Sequence, residues 1–226
     1  MTNTERPITL AKTDSGTGPT LVFTHGWADD RTVWDALIVE LGTSFHCVSW
    51  DIRGHGESDI APPGQYTRDH ALADMASVVE SAGTPAVLVG HSLGGYLALA
   101  YALGHPQDVR GLVLIAAGPG FRKQETREEW NRSVTASAAK LGVPEGSEEL
   151  SKHIDSWVID SLNDISVPVA VIVGEYDKRF HASAAVFEKA LDVRTNVRID
   201  DAGHGVHKKK AAEVAHVMRS FLADIG

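Results

Sequence analysis

Five short apolar runs punctuate this chain: "TLVFTH" (20–25), "HCVSWD" (46–51), "AVLVGH" (86–91), "GLVLIAA" (111–117) and "VAVIVGE" (169–175). Each is rich in Val, Leu and Ile and mostly lacks polar alternation, the pattern of a strand buried on both faces. Helical periodicity fills the gaps. In 31–41, Val33, Trp34, Leu37, Ile38 and Leu41 share one face; in 68–82, Leu72, Met75, Ala76 and Val79 do so, with Thr67 placed to cap the helix. Ala184–Leu191 and Ala211–Leu222 are further helices, and Leu97–Leu103 a buried one. Strands alternating with helices imply an α/β fold with a parallel sheet and right-handed crossovers. "ITLAKTD" (8–14) alternates and reads as an edge strand; "VRIDDAG" (197–203) reads as the last strand.

A chain of 226 residues with 43% hydrophobic and 23% charged residues supports one domain spanning 1–226 with a substantial core. Its net charge of -9 argues against a nucleic-acid surface. The Lys208–Lys210 run is expected on the solvated face of the last helix. Cys47, the single cysteine, excludes an intrachain disulfide and reads as a buried strand residue. "MTNTERPITLAKTD" lacks a signal-peptide core, and no segment reaches the roughly 20 apolar residues of a membrane span. The expectation is a soluble, cytoplasmic protein with a small-molecule substrate and neither nucleic acid nor membrane as partner. Its oligomeric state is open.

Residues 119–165 break the rhythm. "FRKQETREEWNRSVTASAAKLG" is polar, with widely spaced Trp130, Val134 and Leu141. "GVPEG" (142–146) follows, and then Leu150, Ile154, Trp157 and Val158 at helical spacing. This is expected to be a small helical insertion on the sheet.

The chemistry concentrates at Gly90-His91-Ser92-Leu93-Gly94, a G-x-S-x-G between a strand and a helix. A strand turning sharply into a helix forces the central residue into a strained conformation, and the flanking glycines let backbone pack close. Ser92 is then held at the carboxyl edge of the sheet, above a helix N-terminus that favours developing negative charge. A serine needs a base, and the base an orienting acid. "VAVIVGEYD" offers Glu175 and Asp177; "VRIDDAGHGVH" offers His204 and His207. Asp177 is preferred as lying further into its loop, and Asp200 and Asp201 precede the histidine too closely. His204, between two glycines, is preferred as the base, and His207 is expected to begin the last helix. A metal reading of His204 and His207 lacks a third ligand at sensible spacing.

Acyl transfer also needs donors for an oxyanion. Leu93 N–H, next to the nucleophile, is one; Trp27 N–H, in the loop "LVFTHGWADD", is the other. His25 and His91 are assigned bracing roles. In "DIRGHGESD" (51–59), Asp51 and Arg53 are expected to anchor the loop. Trp27, Phe121, Trp130, Trp157, Phe180 and Val206 are candidate pocket walls.

"HGW", "DIRGHGES", "GHSLGG", "GEYD" and "DAGH", in this order along nearly the whole chain, resemble the α/β-hydrolase superfamily. The resemblance implies a mostly parallel sheet of about eight strands covered by helices on both faces. It places the nucleophile after the fifth strand and a short helical cap, residues 119–165, after the sixth. Only one clear strand precedes "TLVFTH", so the family's first antiparallel strand is missing or merged. A serine nucleophile sets the chain apart from relatives that use aspartate, the haloalkane dehalogenases and epoxide hydrolases. It points to ester, thioester or lactone hydrolysis without a cofactor. A C–C bond hydrolase, a cofactor-free acyltransferase and a non-catalytic ligand sensor are the alternatives.

Overall fold

The computed structural model describes residues 8–226; the expectation drawn from the first seven residues lies outside them. Among these residues, seven strands form one sheet in the order β1-β3-β2-β4-β5-β6-β7. They are β1 (Lys12–Ser15), β2 (Thr20–Thr24), β3 (His46–Trp50), β4 (Ala86–His91), β5 (Val109–Ile115), β6 (Val169–Gly174) and β7 (Val193–Ile199). Only β1 runs antiparallel, against β3. The sheet is therefore mostly parallel, with seven strands where about eight were expected. One strand precedes β2 within the described residues, so the serine follows the fourth strand and the helical segment the fifth.

Among the described residues, eight α-helices accompany it: α1 (Asp35–Leu41), α2 (Arg68–Ala82), α3 (Leu93–Gly104), α4 (Gln124–Leu141), α5 (Trp157–Asp160), α6 (Lys178–Ala190), α7 (Val206–Lys209) and α8 (Ala211–Asp224). They cover both sheet faces, as the strand pattern requires. Leu21 and Phe23 of β2 point to one side, where they join Trp34, at the cap of α1, Leu37 of α1, and Met218 and Phe221 of α8. Val22, between them, points the other way, into a cluster with Met75 and Val79 of α2 and Leu97 of α3. α3 is buried from Leu93 through Ala102, consistent with an apolar sequence on every face. The Thr67 hydroxyl caps α2 by accepting from the His70 N–H.

Three local expectations need correction. The last strand starts four residues before the expected position and stops at Ile199, because Arg194, Asn196 and Arg198 alternate outward from an edge strand. Leu150 and Val158 are buried, but Ile154 and Trp157 are exposed: the segment is a 3-10 turn (Ser147–Ser151) and the short α5, not one helix. Lys208–Lys210 lie on α7 and its junction with α8, where Lys208 pairs with Asp29 and Lys210 with Glu213.

"DIRGHGESD" is anchored as expected. Arg53 makes a two-pronged bond to Asp74 at 2.6 and 2.7 Å, and Asp51 accepts from the backbone N–H groups of Arg31 and Glu57. Cys47 is buried in β3, and burial pushes its thiol up to about 11. Among the described residues, no helix is long and apolar enough to cross a membrane.

Candidate active site

Parallel strands end at one edge of the sheet, and the loops beyond β2, β4, β6 and β7 meet there. Ser92 leaves β4 with φ 51° and ψ -112°, a conformation an L residue adopts only under strain. Backbone bonds hold it: Ser92 N–H donates to Ile115, and the Ser92 carbonyl accepts from Gly95 and Tyr96. The flanking glycines are needed for close approach. A Cβ at Gly94 would stand 2.1 Å from the Thr24 carbonyl oxygen, and one at Gly90 would stand 2.4 Å from that of Gly94.

Asp177 and His204 are brought together. Asp177, directly before α6, is 8% exposed and accepts a 2.8 Å bond from Nδ1 of His204. A carboxylate only accepts, so a hydrogen sits on Nδ1; in the neutral imidazole that tautomer leaves the lone pair on Nε2. Phe180 stacks on the His204 ring at 5.0 Å. Ser92 and His204 line the same cavity, with no hydrogen bond between them in this conformation. The competing acids are engaged elsewhere: Glu175 accepts from the Asp201 N–H, and Asp201 from the Tyr176 hydroxyl.

His91 braces the site from beneath. Its Nε2 donates to the His204 carbonyl oxygen at 3.0 Å, linking the two loops. Burial, with the His207 and His204 rings close by, pushes His91 well below the usual histidine range. Burial thus disfavours its charged form and makes it a weaker proton acceptor than an ordinary histidine. His25 behaves likewise. Its Nδ1 donates to the Gly26 carbonyl, its Nε2 accepts from Ile52 N–H, and burial lowers it to about 4. Leu93 is the first residue of α3 and Trp27 opens a turn; neither backbone N–H donates to a described protein acceptor.

Two cavities meet at Ser92. One is mainly apolar, bordered by Leu93, Tyr96, Phe121, Trp130, Leu150 and Phe180. The other is more polar and holds Trp27, Asp29, His204 and Lys208. Trp27, Phe121, Trp130 and Phe180 are thus walls, as expected. Trp157 and Val206 are not. Trp157 lies outside, beneath the Arg68 guanidinium at 4.9 Å, and Val206 is fully buried in the core. His207 is also buried, against Trp34 and His91, and burial lowers it to about 3.

Several residues around the cavities escaped the sequence reading. His153 stands edge-on to Tyr96 at 4.6 Å, its Nδ1 without a partner, and burial lowers it to about 4. Arg68 bonds to the Tyr96 hydroxyl at 3.2 Å and to both oxygens of Asp155. Arg179 lines both cavities. Only position marks it: it falls two residues after Asp177, in the first turn of α6. Among the described residues, no three His, Cys, Asp or Glu side chains converge as a metal site would require.

A parallel sheet whose strand ends carry a strained serine, an imidazole and an acid to a shared edge defines the class. The chain belongs to the alpha/beta hydrolase fold family, which it matches over residues 19–141, more than half its length. It is 37% identical over 123 residues to a pimeloyl-[acyl-carrier protein] methyl ester esterase of Xylella fastidiosa, a match covering 54% of this chain and 45% of that one. The matched stretch spans less than half the length of the curated relatives first found. A thermophilic esterase of Thermogutta terrifontis, solved with malate bound, superposes with a TM-score of 0.79 at 26% identity, covering 96% of this chain and 94% of that one. A carboxylesterase structure from Nitrososphaera gargenis superposes at 0.80 with 19% identity, covering 100% and 98%, which bears on the fold alone.

Proposed function

We propose that the protein is a serine hydrolase that cleaves a small or medium carboxylic ester, or a thioester or lactone, through an acyl-enzyme. The observation that carries this reading is the 2.8 Å Asp177–His204 bond at the cavity that Ser92 also lines. The esterase names among the relatives point the same way.

In the proposed cycle Ser92 rotates toward Nε2 of His204, and the imidazole takes the hydroxyl proton as Oγ attacks the carbonyl carbon. Such contacts are often open in the empty enzyme and close around substrate. Asp177 keeps the proton on Nδ1 and stabilises the imidazolium. The N–H groups of Trp27 and Leu93 receive the oxyanion. His204 returns the proton to the leaving alcohol, and water releases the acid by the same steps in reverse order of partners. The helices between β5 and β6, residues 119–165, serve as a short cap, with Phe121 and Trp130 walling the apolar cavity.

The test is Ser92→Ala with a panel of p-nitrophenyl esters and a fluorophosphonate probe. Wild type is expected to turn over and to be labelled at Ser92; the variant is expected to fold, with both activities gone. Unchanged turnover in Ser92→Ala refutes the proposal.

A further inference from the structure

The charged groups around the two cavities are nearly all paired. In the polar cavity Asp29 accepts from Lys208 Nζ at 2.9 and 3.2 Å, so that pair is internally neutral. Asp177 is bonded to His204. On the cap, Lys152 pairs with Glu149, and Arg127 donates to the carbonyls of Phe121 and Arg122.

Arg179 differs. It is exposed, borders both cavities, and makes no hydrogen bond or ion pair with any described residue. Its guanidinium lies over the Trp130 ring at 5.3 Å. Stacking on an aromatic face fixes a guanidinium without consuming its N–H donors, which lie in the plane of the group. A cation therefore borders the cavities that Ser92 also lines, with its hydrogen-bonding edge vacant. The chain as a whole carries a net charge of -9, which repels anions. A local cation at the mouth is what an anionic substrate would need.

We infer that Arg179 recognises a carboxylate carried on the acyl chain of the substrate, so that the site prefers half-esters of dicarboxylic acids. This rests on the proposed ester hydrolysis and names its substrate class. The apolar cavity takes the methylenes next to the scissile carbonyl, and the planar guanidinium receives the terminal carboxylate through two parallel bonds.

The experiment compares mono-p-nitrophenyl adipate with p-nitrophenyl hexanoate, which match in chain length and differ in the terminal charge. The quantity read is the ratio of kcat/KM for the anionic ester to that for the neutral one. Arg179→Gln is expected to lower this ratio about tenfold, as loss of a partly exposed charge-assisted bond would. Arg179→Lys should fall between, and added salt should lower the wild-type ratio. An equal ratio in wild type and Arg179→Gln overturns the inference. A second readout does not depend on turnover: adipate alone should raise the melting temperature of the Ser92→Ala protein, and not of the Ser92→Ala/Arg179→Gln protein. Arg179-dependent adipate binding without turnover of either ester would leave the anion site standing and reject the hydrolase. Turnover with no Arg179 dependence in either readout would do the opposite.

Discussion

Ser92 offers a measurement of how much stability its own backbone posture costs. At φ 51° and ψ -112° its backbone lies in a region that L residues rarely adopt, at a cost of order 1–3 kcal/mol. Glycine enters such regions freely but loses about 0.5–1 kcal/mol more conformational entropy on folding. Ser92 is only half-buried, and its local hydrogen bonds run through backbone groups that any residue retains. Little else offsets the balance, so Ser92→Gly should stabilise the fold by about 1 kcal/mol. In a chain of this size that is roughly 2–4 °C in melting temperature. Ser92→Ala is the control: it removes the same hydroxyl and keeps the Cβ that causes the strain, so it should melt close to wild type. Urea denaturation and calorimetry of the three proteins measure the difference. A glycine variant no more stable than the alanine variant would refute the claim that the elbow stores strain.

Asp177→Asn should lower kcat by roughly 10⁴-fold, because the amide favours the wrong imidazole tautomer; steady-state assays on a p-nitrophenyl ester test it, and a loss under tenfold would remove Asp177 from its assigned role. Acid should destabilise the fold early. Burial holds His25 and His153 at about 4 and His207 at about 3 in the native state, below the unfolded value of 6.5. The unfolded chain therefore binds more protons as pH falls below 6.5. Their stabilisation is complete above that value and is lost at up to about 1.4 kcal/mol per pH unit per histidine, until each native value is reached. Urea titrations at pH 7, 6 and 5 should show this slope, and His207→Leu should flatten it; a pH-independent midpoint over that range contradicts the assignment.

Strands buried on both faces announce themselves by composition, and β2, β3, β4 and β6 coincide closely with the apolar runs that suggested them. β7 was only half legible, because at a sheet edge Arg194, Asn196 and Arg198 break the run and the alternation looks like loop. Leu150, Ile154, Trp157 and Val158 have helical spacing, yet the segment folds as short turns: spacing reports a possible face, and packing decides which members are covered. Val206, one of the proposed pocket walls, lies in the core instead, since its short helix turns inward beside Trp34 and His91.

By itself the amino-acid order determined whatever depends on near neighbours: the alternation of strand and helix, the elbow at Ser92, and the sequence in which serine, acid and histidine reach the sheet edge. Tertiary structure decided what depends on distant groups arriving together. The bond from His91 to the His204 carbonyl joins residues 113 positions apart, and the placement of Arg179 on Trp130 depends on α4 folding over α6. Periodicity encodes which face of an element is apolar, but the direction of a single charged side chain is set by the elements that pack around it.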